Sequence, residues 1–132
     1  MLSGVIMNAM AALRQYQTVN TQAQVSDASP HRLIQMLMEG GLSRLAQAKG
    51  VMMHGQHAAK GELLSKAIGI IGGLRESLDL QQGGEIAANL DRLYEYMVSR
   101  LVEANIGNDV AIIDEVAELL RNVKSGWDAI SH

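Results

Sequence analysis

The run from Ser29 to Met52, SPHRLIQMLMEGGLSRLAQAKGVM, decides the fold. Pro30 is the only proline in the chain. Ser29 offers a hydroxyl cap, and proline at the first helical position gives up only an amide that a helix leaves unpaired. Ile34, Met38, Gly41, Leu45, Ala48 and Met52 then recur at spacings of four and three. That is one face of a helix, and Leu33 and Leu37 widen it. Gly50 or Gly55 supplies an end. The reading is a helix over about 30–53.

Three similar segments follow. Over about 57–79, Leu64, Ala67, Ile71, Leu74 and Leu78 form a stripe, and Leu63, Ile68 and Ile70 make the segment apolar on more than one face. Gly69, Gly72 and Gly73 interrupt it, each costing about 1 kcal/mol relative to alanine in a helix. Such glycines allow either close packing inside the protein or a shallow groove for a partner's backbone. Gln81-Gln82-Gly83-Gly84 is a turn. A third helix over about 84–105 lines up Ile86, Leu90, Leu93, Met97 and Leu101, with Glu85 suited to the positive end of the helix dipole. Gly107 reads as its end and Asn108 as a cap for the fourth. The last segment, about 109–129, carries Ile113, Val116, Leu120, Val123, Trp127 and Ile130. Four amphipathic segments of similar length with short connections predict an all-α fold, an antiparallel up-down four-helix bundle.

Composition agrees. The chain has 132 residues, 48% of them apolar, which suits one domain. Sixteen Leu, sixteen Ala and eight Met, with no Phe and one Trp, are helix formers rather than sheet formers. Residues 1–28 differ, and 29–132 form the bundle. Arg14 to Ala28 is polar and has little to bury, so a flexible segment is expected. Before it, Val5, Ile6, Ala9, Met10 and Leu13 suit a short amphipathic helix, too short to stand alone. Ile6 and Met10 are nominated as a cap over the bundle. Methionines at 1, 7 and 10 leave the true start open.

Charge and chemistry narrow the function. A net charge of −3 is a poor match for nucleic acid. The absence of cysteine suits the cytosol, and no membrane span or signal peptide is expected. The segments hold no Glu-x-x-His metal motif and no phosphate loop. His54 and His57 read as a solvated pair rather than metal ligands. An enzyme or a ligand-sensing bundle would need polar groups on inward faces, and the charges read as outward. No cofactor is expected. Binding remains. Met36 and Met38 beside Leu37 are either core or an adaptable surface. Tyr94 and Tyr96, two apart, cannot both face one core. Tyr16 stands alone in a polar segment, as an anchor or a partner contact.

Taken in order, these residues resemble a known family. They are Tyr16, Ser29 through Gly40, Lys66-Ala67, Ile70-Ile71, Leu74 and Leu78-Asp79. Gly83-Gly84-Glu85-Ile86-Ala87-Ala88-Asn89-Leu90, Leu93-Tyr94-Glu95-Tyr96-Met97, Arg100-Leu101-Val102-Glu103-Ala104-Asn105, Glu115-Val116 and Trp127 continue the set. It is similar to the FliS family, the flagellin-specific export chaperones. The departures are Met38, where the family usually has an aromatic, Ser99 before Arg100, where an arginine pair is common, and a longer stretch before Tyr16.

The resemblance implies a cytoplasmic, non-enzymatic chaperone. It would bind the disordered C-terminal region of flagellin, prevent premature polymerisation and deliver it to the flagellar type III export gate. It also implies FlhA, the anti-sigma factor FlgM and FliW as candidate partners, and a homodimer is compatible with it. The residues nominated for the client are Tyr16, Leu33, Leu37, Met38, Ile71, Leu93, Tyr96, Met97, Leu101 and Asn105.

Overall fold

A computed structural model describes residues 28–130. Four helices make up the fold: α1 Pro30–Met53, α2 His57–Glu76, α3 Gly84–Gly107 and α4 Val110–Ala129. Ser29 caps α1 as expected, its Oγ accepting from the Arg32 amide at 3.1 Å. The α1–α2 corner turns through Gly55 at φ +69°.

The helix ends differ in detail from the sequence reading. α2 stops at Glu76, because the Ser77 hydroxyl takes the Leu74 carbonyl at 2.6 Å. Asp79 then builds the next turn, its carboxylate accepting from the amides of Gln81 and Gln82 at 3.1 and 3.0 Å. Gly83 is required there: a Cβ would lie 2.8 Å from the Asp79 carbonyl and 2.6 Å from the Ala87 Cβ. At the α3–α4 corner the reading of Asn108 as an N-cap is corrected. Asn108 ends α3 in the left-handed region (φ 51°), and Asp109 caps α4, accepting from the Ala111 amide at 3.0 Å. Asparagine tolerates that conformation, and Asp109 is then left in the extended backbone that an N-cap needs.

The helices pack as α1 on α2, α2 on α3, α3 on α4 and α4 on α1, an antiparallel cycle. Side-chain contacts show the directions. Lys49, late in α1, reaches Asp114, early in α4, at 2.9 Å. Arg75, late in α2, reaches Asp91, early in α3, at 2.6 Å. The core is built from the predicted stripes, including Leu37, Leu45, Leu64, Ile71, Leu74, Leu101, Val116 and Leu120. Each such leucine or isoleucine contributes about 1.5–3 kcal/mol by burial. Met36 and Met38 are both core, not surface. Of the two tyrosines, Tyr94 is inside and Tyr96 is 41% exposed.

Two charges depart from the expectation of wholly outward charge. Arg44 and Lys60 are both buried. Long apolar stems let such residues lie within a stripe while the head group finds polar partners.

Glycine plays opposite roles on α1 and α2. At Gly41 a Cβ would sit 3.1 Å from Leu120 and 3.5 Å from Ile70, so this glycine lets α4 approach α1 closely while α2 lies in ordinary contact. At Gly69, Gly72 and Gly73 a Cβ would meet nothing within 4 Å, which rules out close packing as their reason. Gly41→Val should therefore lower stability by about 1–3 kcal/mol through overpacking. Gly72→Ala should raise it by about 0.5–1 kcal/mol by helix propensity. Urea unfolding of the two variants reads both signs.

Candidate functional site

Helix α3 faces α4 along a seam whose two ends differ. In its middle, Glu115 of α4 is a double acceptor. Its Oε2 accepts from the Tyr96 hydroxyl at 2.7 Å, and its Oε1 from the Arg100 Nε at 2.8 Å. Arg100 is also paired with Glu103 on its own helix. The Tyr96 and Arg100 bonds hold the Glu115 carboxyl below its ordinary range, and the same contacts raise Tyr96 and Arg100. Burial alone pushes the neighbouring Tyr94 phenol up to about 12.

Toward the α3–α4 corner, the seam is closed. Lys60 reaches across from α2, donating to the Asn105 carbonyl at 2.9 Å and to the Asn108 side-chain oxygen. An ammonium at a helix C-terminus satisfies orphan carbonyls and favours the negative end of the dipole. Lys60 is only 6% exposed, so α2, α3 and the corner meet on it.

Toward the other end, the seam is open and apolar. The Glu115 contacts set the register of two antiparallel helices, which places Leu90 opposite Val123 and Ile86 opposite Trp127. Leu90, Leu93, Leu119, Val123 and Trp127 are only partly buried. Ile86 and Ile130 are 74% and 54% exposed. No hydrogen bond or ion pair crosses between the two helices there, among the described residues. Trp127 is fixed from below: its Nε1 donates to the His31 carbonyl at 3.0 Å, and its ring stacks on the His31 ring at 4.6 Å between centroids. One wall is therefore held by α1, and the strip is built on helices rather than on loops.

The nominated residues separate on this map. Leu37, Met38, Ile71, Met97 and Leu101 are fully buried core, and Leu33 is nearly so. As they stand they present no surface to a partner, because the narrow centre of each stripe is what the bundle itself consumes. Leu93 lies in the open strip and Tyr96 at its closed end. Asn105 contributes its carbonyl to Lys60 at the far corner. Tyr16, Ile6 and Met10 lie outside the described residues. Sequence reasoning did not nominate Leu90, Leu119, Val123 or Ile86. Ile86, Leu90 and Val123 were read as members of the core stripes, and the stripe alone does not tell that its outer end stays partly open.

A helical bundle that carries an apolar strip on rigid helices has the surface chemistry of a protein-docking module. Similarity to known proteins gives its family. The model of the family described as "Flagellar protein FliS" matches residues 12–132. The flagellar secretion chaperone FliSB of Pseudomonas aeruginosa is 67% identical over 126 residues, 96% of this chain and 100% of the relative. The flagellar secretion chaperones FliS of Salmonella typhimurium and Bacillus subtilis are 47% and 32% identical, covering 92% and 88% of this chain and 90% and 86% of theirs. The chain belongs to the FliS family of flagellar secretion chaperones. Among the described residues, no helix is long and apolar enough to cross a membrane.

The Glu115 clasp has a pH signature. A carboxyl held low in the folded state contributes stability above its unfolded pKa and loses it as pH falls through the folded value. Glu115→Gln should lower the urea midpoint at neutral pH. The gap to the unaltered protein should close in acid strong enough to protonate Glu115.

Proposed function

We propose that this chaperone binds the disordered C-terminal region of flagellin as an amphipathic helix laid along the open part of the α3–α4 seam. It thereby prevents premature polymerisation in the cytoplasm and delivers the client to the type III export gate. The observation that carries this reading is the strip itself, where two helices leave apolar flanks unpartnered over about three turns. Large apolar surface on a soluble protein marks a docking site. A helix-in-groove contact buries an i, i+3, i+7 face of the client and excludes the contacts by which such helices assemble with one another. Ordering a disordered client costs conformational entropy, so apolar area is the feature the task requires.

The segment 1–28 is the natural cover of this strip before the client arrives. Ala28 is partly buried against the core beside the start of α1, and α1 starts against the end of α4. The chain thus enters the bundle at the open end of the seam. Ile6, Met10 and Tyr16 are the apolar groups it would lay there. FlhA, FlgM and FliW are carried over from the resemblance as further partners.

Calorimetry against a C-terminal flagellin fragment should give a one-to-one complex with a large negative heat-capacity change. Ile86→Ser and Ile130→Ser should each weaken binding about fivefold, a loss of about 1 kcal/mol, with unfolding unchanged. Removing residues 1–18 should tighten binding by removing a competitor. Unchanged affinity on that deletion would sink the cover. No binding by the folded protein at tens of micromolar would sink the client assignment, and a concentration-dependent dimer would give the strip to a second copy instead.

A further inference from the structure

We infer that the α3–α4 seam works as a hinged jaw: it pivots at the Lys60 corner and the Glu115 clasp, and it admits the client by parting at its open end. The inference rests on the client reading above for what enters the jaw, but its geometry stands apart from that reading.

The ties between helices are distributed asymmetrically. At the open end, α3 is tied to α2, where Arg75 pairs with Asp91 and with Glu95 at 2.8 Å. At the same end, α4 is tied to α1 through Gln35 to Asp128 at 2.8 Å and Trp127 to the His31 carbonyl. Neither set crosses the seam. At the other end the seam itself is crossed: Glu115 joins α4 to Tyr96 and Arg100 of α3, while Lys60 joins α2 to the Asn105 carbonyl and the Asn108 side chain and Lys49 joins α1 to Asp114 of α4.

The connections follow the same division. The α3–α4 corner has two residues, 108–109, one of them in the left-handed region. The α2–α3 connection at the open end has seven, 77–83. A short, pinned corner cannot lengthen, whereas a longer loop absorbs a swing of α3's first turns. Packing permits the swing as well. Leu90, Leu93, Leu119 and Val123 are already partly solvated, so parting them exposes less new apolar surface than parting a fully buried layer.

Local opening of this kind is read by amide hydrogen exchange on the full chain, without any client. Amides of residues 88–95 in α3 should exchange about tenfold faster than those of residues 97–104 in the same helix. They should also exchange about tenfold faster than those of residues 67–74, which lie at the same end of the bundle in α2. The chain has no cysteine of its own, so a Leu90→Cys/Val123→Cys variant can be closed by oxidation. Oxidation should slow exchange in 88–95 to the level of 97–104 and abolish binding of the flagellin fragment, and reductant should restore both. Lys60→Met should speed exchange in residues 100–107 while leaving 88–95 unchanged. Uniform protection along α3 in the unaltered protein would overturn the jaw whatever the client proves to be. If the exchange difference is present but the oxidised variant binds the fragment as tightly as the reduced one, the client lies on the surface and the jaw is not its entrance. If the unaltered protein shows the exchange difference and binds no fragment, the jaw stands and the client assignment falls.

Discussion

The close approach at Gly41 is the constraint on which the rest of this bundle depends. Leu120 of α4 and Ile70 of α2 both come over the same glycine of α1, where an added Cβ would lie a tight 3.1 Å from the first and in ordinary contact, at 3.5 Å, with the second. Helix α1 is thereby drawn tightly to α4 while it stays in contact with α2. In a four-membered cycle the fourth helix takes the space that remains. Helix α3 is diagonal to α1 and is held through α2 by Arg75 and Lys60, and through α4 by Glu115. Dense packing on one side of the molecule is thus what leaves a looser seam on the other. The apolar strip needs no special construction beyond that imbalance.

Polar contacts then decide which part of the seam is loose. A lysine buried at a helix C-terminus is costly unless its ammonium is hydrogen-bonded. Lys60 places two of its three donors, on the Asn105 carbonyl and the Asn108 side chain, and in doing so ties α2 to the corner. Glu115 is partly exposed, so its ion pair with Arg100 adds little stability by itself. Its contribution is register: two donors on successive turns of α3 define how α4 lies against it. Past that point only apolar side chains face each other, and apolar contacts carry no direction. The open end therefore tolerates variation in spacing that the closed end does not.

The fold was legible in the sequence because its signal is redundant. Each helix repeats its stripe five or six times, and Ser29-Pro30 marks the start of the first one. The caps were less legible. Asn108 and Asp109 are both good capping residues, and only the left-handed turn at Asn108 assigns the cap to Asp109. The site was the least legible part. Periodicity finds the centre of a stripe, and Met97, Leu101 and Ile71 are at such centres, so they are consumed by the core. Leu90 and Val123 lie on the same stripes, yet they are only partly buried because they fall at the open end of the seam, and Leu119 is partly buried beside them. Which end of a stripe stays open depends on how four helices are arranged around each other, and no single helix encodes that. Lys60 was hidden for a related reason: a charged residue in a stripe reads as its edge until the partner carbonyl, 45 residues away in the chain, is seen.

On the proposed reading, a chaperone that binds an amphipathic client faces a conflict between its own solubility and its affinity. An apolar surface large enough to hold an amphipathic helix is also large enough to hold a copy of itself. This chain meets the conflict by dividing the surface. The side chains of the strip are mostly half-buried against each other, so the free protein presents only part of the area that a bound helix would use. The outer margins beside it are polar, with Asn89, Arg92 and Asn122 exposed. Partial burial lowers the attraction for a rigid second copy, whose own strip is equally recessed. It does so much less for a flexible segment, which can follow the seam inward and gain contacts as it folds. Recessed apolar flanks between two helices therefore favour a disordered client over a folded competitor, and that preference needs no residue that recognises a particular sequence.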